Sequence, residues 1–463
     1  MGGTSPVART ARTERPDGGG SPISQFDEDF DRLALAGRDC VVLAVSGGSD
    51  SMALMQLFTG YAQRVFPSLR VLVATVDHRL RKEAAAEARF VAKEAERLGI
   101  EHRTLVWDGA KPAAGLMEAA RDARHRLLSR AAQEAGTDLV LVAHTMDDQA
   151  ETVAMRSARS EGGRGRAGIA AATLSGGETW FARPLLGARR AVLRQVLERA
   201  GTGWIDDPSN DDFRYERVRM RAMLNNEEIR VFGEAARNEA ARRQALGEAA
   251  AALIDQHATM PVPGLIRIEP ALFDASGKHA AIYALRILLS TAGGQTYLPD
   301  ERRSAEALSA IMRGSSRLTL AGAVAERSSA GVYLYREYRN LPARGDTSLL
   351  WDGRCRVAYA EGRDFEIGEP DKATVEASVE SSPAGVPPRL ARAAYARQPA
   401  IWRGDECIGL AGDVEGTTCE AVAAPWARYL PSFDLAAARA VSSLIGAGAV
   451  PKPPFNGRSM RGT

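Results

Sequence analysis

The chain has 463 residues, 45% of them hydrophobic, and a formal net charge of +2. That length exceeds one typical core, so two or three domains are expected, and the near-neutral balance excludes a globally basic coat for nucleic acid: any such site must be a local patch of arginine. The four cysteines, Cys40, Cys355, Cys407 and Cys419, are scattered without a Cys-x-x-Cys pair, which gives no metal framework and fits a reducing cytoplasm; no apolar run is long enough to span a bilayer, so no membrane partner is expected.

In chain order, Met1–Ser24 is rich in Gly, Pro, Arg, Ser and Thr and lacks the apolar segment of a secretory signal. Residues 1–30 are expected to be a disordered tail. Val41–Val45 reads as a buried parallel strand, Ser46-Gly47-Gly48-Ser49-Asp50-Ser51 as a turn, and Met52–Tyr61 as a helix. A strand, glycine turn and helix in succession aim unpaired N–H groups and a helix dipole at an anion, the usual recipe for a phosphate site. The turn matches neither Gly-x-x-x-x-Gly-Lys-Ser/Thr nor Gly-x-Gly-x-x-Gly.

Leu69–Val76 is a second strand, ending at Asp77 and His78, where a nucleotide could be reached. Ala84–Leu98 reads as a helix, His102–Val106 as a third strand and Gly115–Ala135 as a long helix. That helix carries Arg121 and Arg124 one turn apart, a pairing that suits phosphate as well as a solvated face. Asp138–Ala143 is a further strand, ending at His144. Asp147, Asp148 and Glu151 follow at a helix start, where acids sit well for dipole reasons alone or hold a cation such as magnesium or a substrate ammonium. Strand–helix alternation predicts an α/β fold with a doubly wound parallel sheet, its ligands at the carboxyl ends of the strands.

Arg156–Gly168 is Gly-rich and basic and is expected to be a mobile loop. Helix returns at Arg189–Ala200, and Asp206–Asn210 is a turn cluster. The long Ala/Arg/Glu-rich stretches beyond it predict a helical domain. The boundaries are therefore placed at 31–216 for the nucleotide domain, 217–341 for a helical RNA-binding domain, 342–440 for a small mixed α/β C-terminal domain, and 441–463 for a tail.

Several motifs converge on one family. Ser46–Ser51 resembles the pyrophosphate loop (PP-loop) of the N-type ATP pyrophosphatases. Val76–Arg81 (Val-Asp-His-Arg-Leu-Arg), Ala120–Arg124, Ala143–Thr152, Arg183–Leu186 (Arg-Pro-Leu-Leu) and Asp207–Asn210 follow in the order and register of the tRNA(Ile)-lysidine synthases. The departures are Thr145 in place of a second His, His125 where Tyr is frequent, and Val218 where Asn is usual between Arg217 and Arg221.

The resemblance implies a PP-loop ATPase domain and a ligase. Its partners would be free L-lysine and an isoleucine tRNA with a CAU anticodon; a homodimer is compatible with the sequence. It implies ATP and Mg2+ as cofactors. Ser46, Gly47, Gly48, Ser49, Asp50, Ser51, Asp77 and His78 would bind ATP, with Asp50 also on the metal. Asp50, Arg121, Asp147 and Asp148 would be catalytic, and Arg124, His144, Glu151, Arg183, Arg217 and Arg221 would hold substrate. The rival readings are a tRNA 2-thiolation enzyme with the same loop, disfavoured by the missing cysteine pair, an amidating ligase, which would need a glutaminase, and a degenerate RNA-binding protein, which would not keep the loop intact.

Overall fold

The computed structural model describes residues 26–81, 83–159, 164–207, 212–274, 277–345, 350–359 and 364–456. The chain divides into two compact units, one of residues 1–243 with 452–463 and one of residues 244–451.

The first unit begins with α1 (Asp27–Asp31), β1 (Cys40–Ala44), α2 (Ser49–Val65), β2 (Arg70–Asp77), α3 (Ala84–Arg97), β3 (Glu101–Val106), α4 (Leu116–Glu134) and β4 (Leu139–Val142). It continues through α5 (Met146–Arg159), β5 (Ala172–Ser175), β6 (Thr179–Ala182), α6 (Arg190–Ala200), α7 (Glu216–Met223) and the start of α8 (Asn226–His257). Its strands lie in the order β5-β6-β4-β1-β2-β3. All neighbours are parallel except β5 and β6, which form an antiparallel pair. β1 and β4 are buried along their whole length, as expected of central strands covered by helices on both faces. Val42, Leu72, Val140 and Phe181 pack with Leu128 and Ala132 of α4 in one such layer. Strand order reverses between β2 and β4 about β1, so the crevice at the carboxyl ends of β1 and β4 is the switch point where ligands bind in open sheets.

The second unit differs from the helical domain expected over 217–341. It has β7 (Ala258–Val262), β8 (Leu265–Ile268), α9 (Ala271–Asp274), α10 (Lys278–Gly293), α11 (Glu301–Met312), β9 (Arg317–Leu320), β10 (Ala323–Ser328) and β11 (Gly331–Arg336). The five strands form one antiparallel sheet in the order β7-β8-β11-β10-β9. Val332, Tyr333, Leu334 and Tyr335 are all buried in it; β-branched and aromatic residues on a covered pleat favour strand over helix. The boundary also shifts: the division falls inside α8, between Arg243 and Gln244, rather than at residue 217. After Leu350 come β12 (Leu350–Trp351), β13 (Cys355–Tyr359), β14 (Glu366–Gly368), α12 (Lys372–Glu380), α13 (Pro388–Tyr395), β15 (Ala400–Arg403), β16 (Glu406–Leu410) and β17 (Thr417–Ala421). These build two three-stranded sheets, the mixed composition expected of the C-terminal part. The expected tail at 441–463 starts too early, because a helix (Leu435–Ile445) runs through its first residues. Within the first unit Phe455 bridges to Leu33, and Asn456 donates to the Asp31 and Leu33 carbonyls at 2.9 and 3.2 Å. The N-terminal tail expected up to residue 30 falls outside the described residues as far as residue 25, while Phe26 and Phe30 are buried.

Candidate active site

β1 leaves the sheet at Val45, whose N–H is still held by the Ala74 carbonyl at 3.0 Å. The chain then turns through Ser46 and Gly47 into α2. Gly47 has φ +92°, and a Cβ there would stand 3.0 Å from the Ile205 side chain. Its carbonyl accepts the Ile205 N–H at 2.9 Å, so glycine is required both by conformation and by close approach. The Ser51 hydroxyl closes the turn: it accepts from the Ser46 N–H at 3.1 Å and donates to the Gly48 carbonyl at 2.9 Å. No side chain caps α2, so its first N–H groups are left without a capping acceptor, as a phosphate site requires.

The second component is the start of α5, just past β4. Thr145 and Asp148 form a reciprocal capping box. The Asp148 carboxylate accepts the Thr145 N–H at 2.8 Å and its hydroxyl at 2.9 Å, and the Thr145 hydroxyl faces the Asp148 N–H at 3.3 Å. Thr145, a departure from the family pattern, thus has a local structural role. Asp147, Asp148 and Glu151 are all buried.

Arginines supply the counter-charge. Arg190, in the first turn of α6, pairs with Asp50 at 2.9 Å, Asp148 at 3.0 Å and Glu151 at 3.3 Å. Its backbone N–H donates to Asp147 at 2.9 Å, and the Arg189 side chain meets the same carboxylate at 3.2 Å. Arg221 and Arg217, one turn apart on α7, both reach Glu151, at 2.7 and 3.5 Å. Arg194 donates to the Ser49 hydroxyl at 3.4 Å.

Burial raises the Asp50 pKa above the usual carboxylate value despite Arg190. Burial acts the same way on Asp148, but Arg190 and the Thr145 donors prevail and hold it below that value. Arg190 is driven up against its own burial by Asp148, Asp50 and Glu151.

A third group is cationic. Arg183, at the end of β6, is buried and donates to the Ala170 and Phe181 carbonyls and the Thr173 hydroxyl, none of them a carboxylate. Burial and then Arg121 and Arg124 push its pKa down to about 9. Among the described residues Arg121 and Arg124 have no ion pair, and burial followed by Arg121 lowers Arg124. His144 lies in the chain between β4 and α5 and feels both this group and Asp148. Burial and Arg183 lower it to about 3, which keeps the imidazole neutral at physiological pH. Three guanidiniums without acids form a cationic cluster that favours an anion.

Asp77 and His78 lie at the carboxyl end of β2, beside β1. Asp77 accepts the Arg79 N–H at 2.8 Å, and His78 packs edge-on to Trp107 with ring centroids 5.8 Å apart. The fold therefore gathers loop, acids, Arg217 and Arg221 into one network. Arg217 and Arg221, read from sequence as substrate contacts, are engaged by Glu151. Of the Asp207–Asn210 motif, Asp207 pairs with Arg81 at 2.8 Å, and 208–210 lie outside the described residues. The loop expected to be mobile at 156–168 is helical at its start, and Arg156 donates to the Gly165 and Gly168 carbonyls at 2.8 and 2.9 Å; 160–163 lie outside the described residues.

Sequence reasoning missed Arg189 and Arg190. The signal was present: two arginines open a predicted helix, where the dipole opposes a cation unless acids face it.

A pyrophosphate-type glycine turn at the switch point of a parallel sheet, facing an acidic helix start, defines a PP-loop ATP-using enzyme; the family model described as a PP-loop domain matches residues 22–228. A tRNA(Ile)-lysidine synthase of Mesorhizobium japonicum is 44% identical over 435 residues, covering 90% of this chain and 95% of that protein. One from Brucella anthropi is 35% identical over 452 residues, covering 91% and 97%. The chain belongs to the tRNA(Ile)-lysidine synthase family. Among solved structures, the U34-tRNA thiolase NcsA of Methanococcus maripaludis aligns with a TM-score of 0.39 at 16% identity, covering 46% of this chain and 80% of that one.

Proposed function

We propose that this protein uses ATP to join free lysine to C2 of the wobble cytidine of a CAU-anticodon isoleucine tRNA, making lysidine in the cytoplasm. The observation that carries the reading is the meeting, in one crevice, of a pyrophosphate loop with a buried acidic helix start. The two sites serve the two halves of one reaction. Cytidine O2 attacks the α-phosphorus of ATP, and pyrophosphate leaves toward the α2 N-terminus, where Ser46, Ser49 and the loop N–H groups receive it. The lysine ε-amine then attacks C2 and loses a proton, the C2–O2 bond breaks, and O2 departs with AMP. Asp147 or Asp148 holds the amine and takes its proton. Arg121, Arg124 and Arg183 steady the developing charge and the RNA phosphates, with His144 beside them. Asp77 and His78 face the adenosine side. A thiolation reading is not retained, because the chain's family is that of the lysidine synthases.

Asp50 fits Mg2+ that arrives with ATP. It is the carboxylate that α2 places beside the phosphate site, and among the described residues no cluster of three or more metal-ligand side chains occurs. One carboxylate completed by phosphate oxygens is a common magnesium arrangement. When bound, the ion would neutralise phosphate charge.

The test is transfer of labelled lysine to unmodified CAU-anticodon tRNA with ATP and magnesium, against the same tRNA with the wobble cytidine replaced. ATP-dependent label confined to the cytidine-bearing tRNA is expected. AMP and pyrophosphate release without label would sink the lysine step. D147N should abolish transfer, and full activity in that variant would defeat the role given to Asp147.

A further inference from the structure

Arg190 has no part in the steps above, yet its side chain touches three acids of the site and its backbone N–H a fourth, Asp147. Its Nε, Nη1 and Nη2 each serve a different carboxylate: Asp50, Glu151 and Asp148, respectively. Asp50 belongs to α2 and the other two to α5. Among the described residues it is the side chain that reaches acids on both helices. It is 15% exposed, and it opens a helix whose dipole repels it, so the carboxylates alone hold it there. The guanidinium spreads its donors over three nitrogens in one plane and so spans carboxylates set apart from one another, whereas an ammonium's three donors radiate from a single atom.

We propose that Arg190 is a positioning residue that sets the pyrophosphate side and the amine side of the crevice from one guanidinium, so that the geometry of each depends on the other. This rests on lysidine synthesis as the reaction of the site. Without the fork, Glu151 keeps Arg217 and Arg221, but Asp50 and Asp148 are like charges in a buried space that lose their shared cation and spread apart. Both substrates then meet a misplaced partner. A residue that served only folding would lower the active fraction, and so kcat, with both KM values unmoved.

The experiment compares R190Q, R190K and R199Q, the last removing an equal charge from the exposed far end of the same helix. KM for lysine and for ATP are measured in the transfer assay. Binding of a non-hydrolysable ATP analogue with magnesium is measured by calorimetry. R190Q should raise both KM values by roughly 10-fold or more, in line with losing a residue that orients ligands, and weaken analogue binding comparably. R190K should fall between R190Q and the wild type, and R199Q should match the wild type. The proposal is overturned if only kcat falls, if a single KM moves, or if R199Q behaves like R190Q. Should R190Q not fold, R190K carries the test, and wild-type KM values in it overturn the proposal. If the wild type transfers no lysine, the lysidine reading fails, and calorimetry still judges Arg190: unchanged analogue binding in R190Q overturns its role at the loop.

Discussion

Gly47→Ala tests the pyrophosphate loop most directly. At φ +92° an alanine pays a conformational penalty of ~1–2 kcal/mol. Its Cβ would also lie 3.0 Å from Ile205 Cδ1, a contact that the flexible end of Ile205 can partly relieve. Rotating the peptide to escape the strain would instead break the 2.9 Å bond from the Ile205 N–H to the Gly47 carbonyl, worth about 1 kcal/mol. The expected cost is therefore ~2 kcal/mol, or a Tm lower by roughly 4–8 °C for a domain of this size. The same turn aims the loop N–H groups, so KM for ATP should rise as well. Thermal unfolding of G47A, I205V and the double variant separates the causes. I205V removes Cδ1 and should recover only the contact part. An unchanged Tm and ATP KM in G47A would refute the reasoning; full rescue by I205V would refute the role of the positive φ.

Three further outcomes are expected. T145A removes the hydroxyl half of the Thr145–Asp148 capping box and should cost about 1 kcal/mol in urea unfolding, with T145S retaining most of it. His125, in ring contact with Phe181, is lowered to about 3 by burial and then Arg124. Its unfolded state binds the proton first, so stability should be full above pH 6.5 and fall as pH drops from there toward 3; in H125F the decline, followed by Tm against pH, should be shallower, and an identical slope would contradict the assignment. In the C-terminal unit Asp352, its side chain 6% exposed, pairs with Arg336 at 2.9 Å and Arg354 at 2.8 Å. D352N tolerates the positive φ of 50° but strands two guanidiniums, so it should destabilise that unit by roughly 3–5 kcal/mol in chemical denaturation.

The sequence by itself determined the parts whose information is local. The glycine turn, the acidic helix start and the strand–helix alternation each lie within a short window, where periodicity and dihedral demands are written directly. The same was true of Arg217 and Arg221, whose spacing of four puts them on one helix face. Only the tertiary structure decided where those arginines point, and it turned them onto Glu151. It also decided that Arg190, 140 residues from Asp50, would bridge the loop to the acidic helix, and that Arg183 would be buried without a carboxylate. The helical domain expected from Ala/Arg/Glu-rich stretches became helices on a five-stranded sheet, because short strands such as Gly331–Arg336 gain their stability from non-local pairing and burial rather than from propensity. Charge balance in a crevice and strand pairing in a sheet both depend on which distant segments the fold brings together, and no short window of sequence contains that.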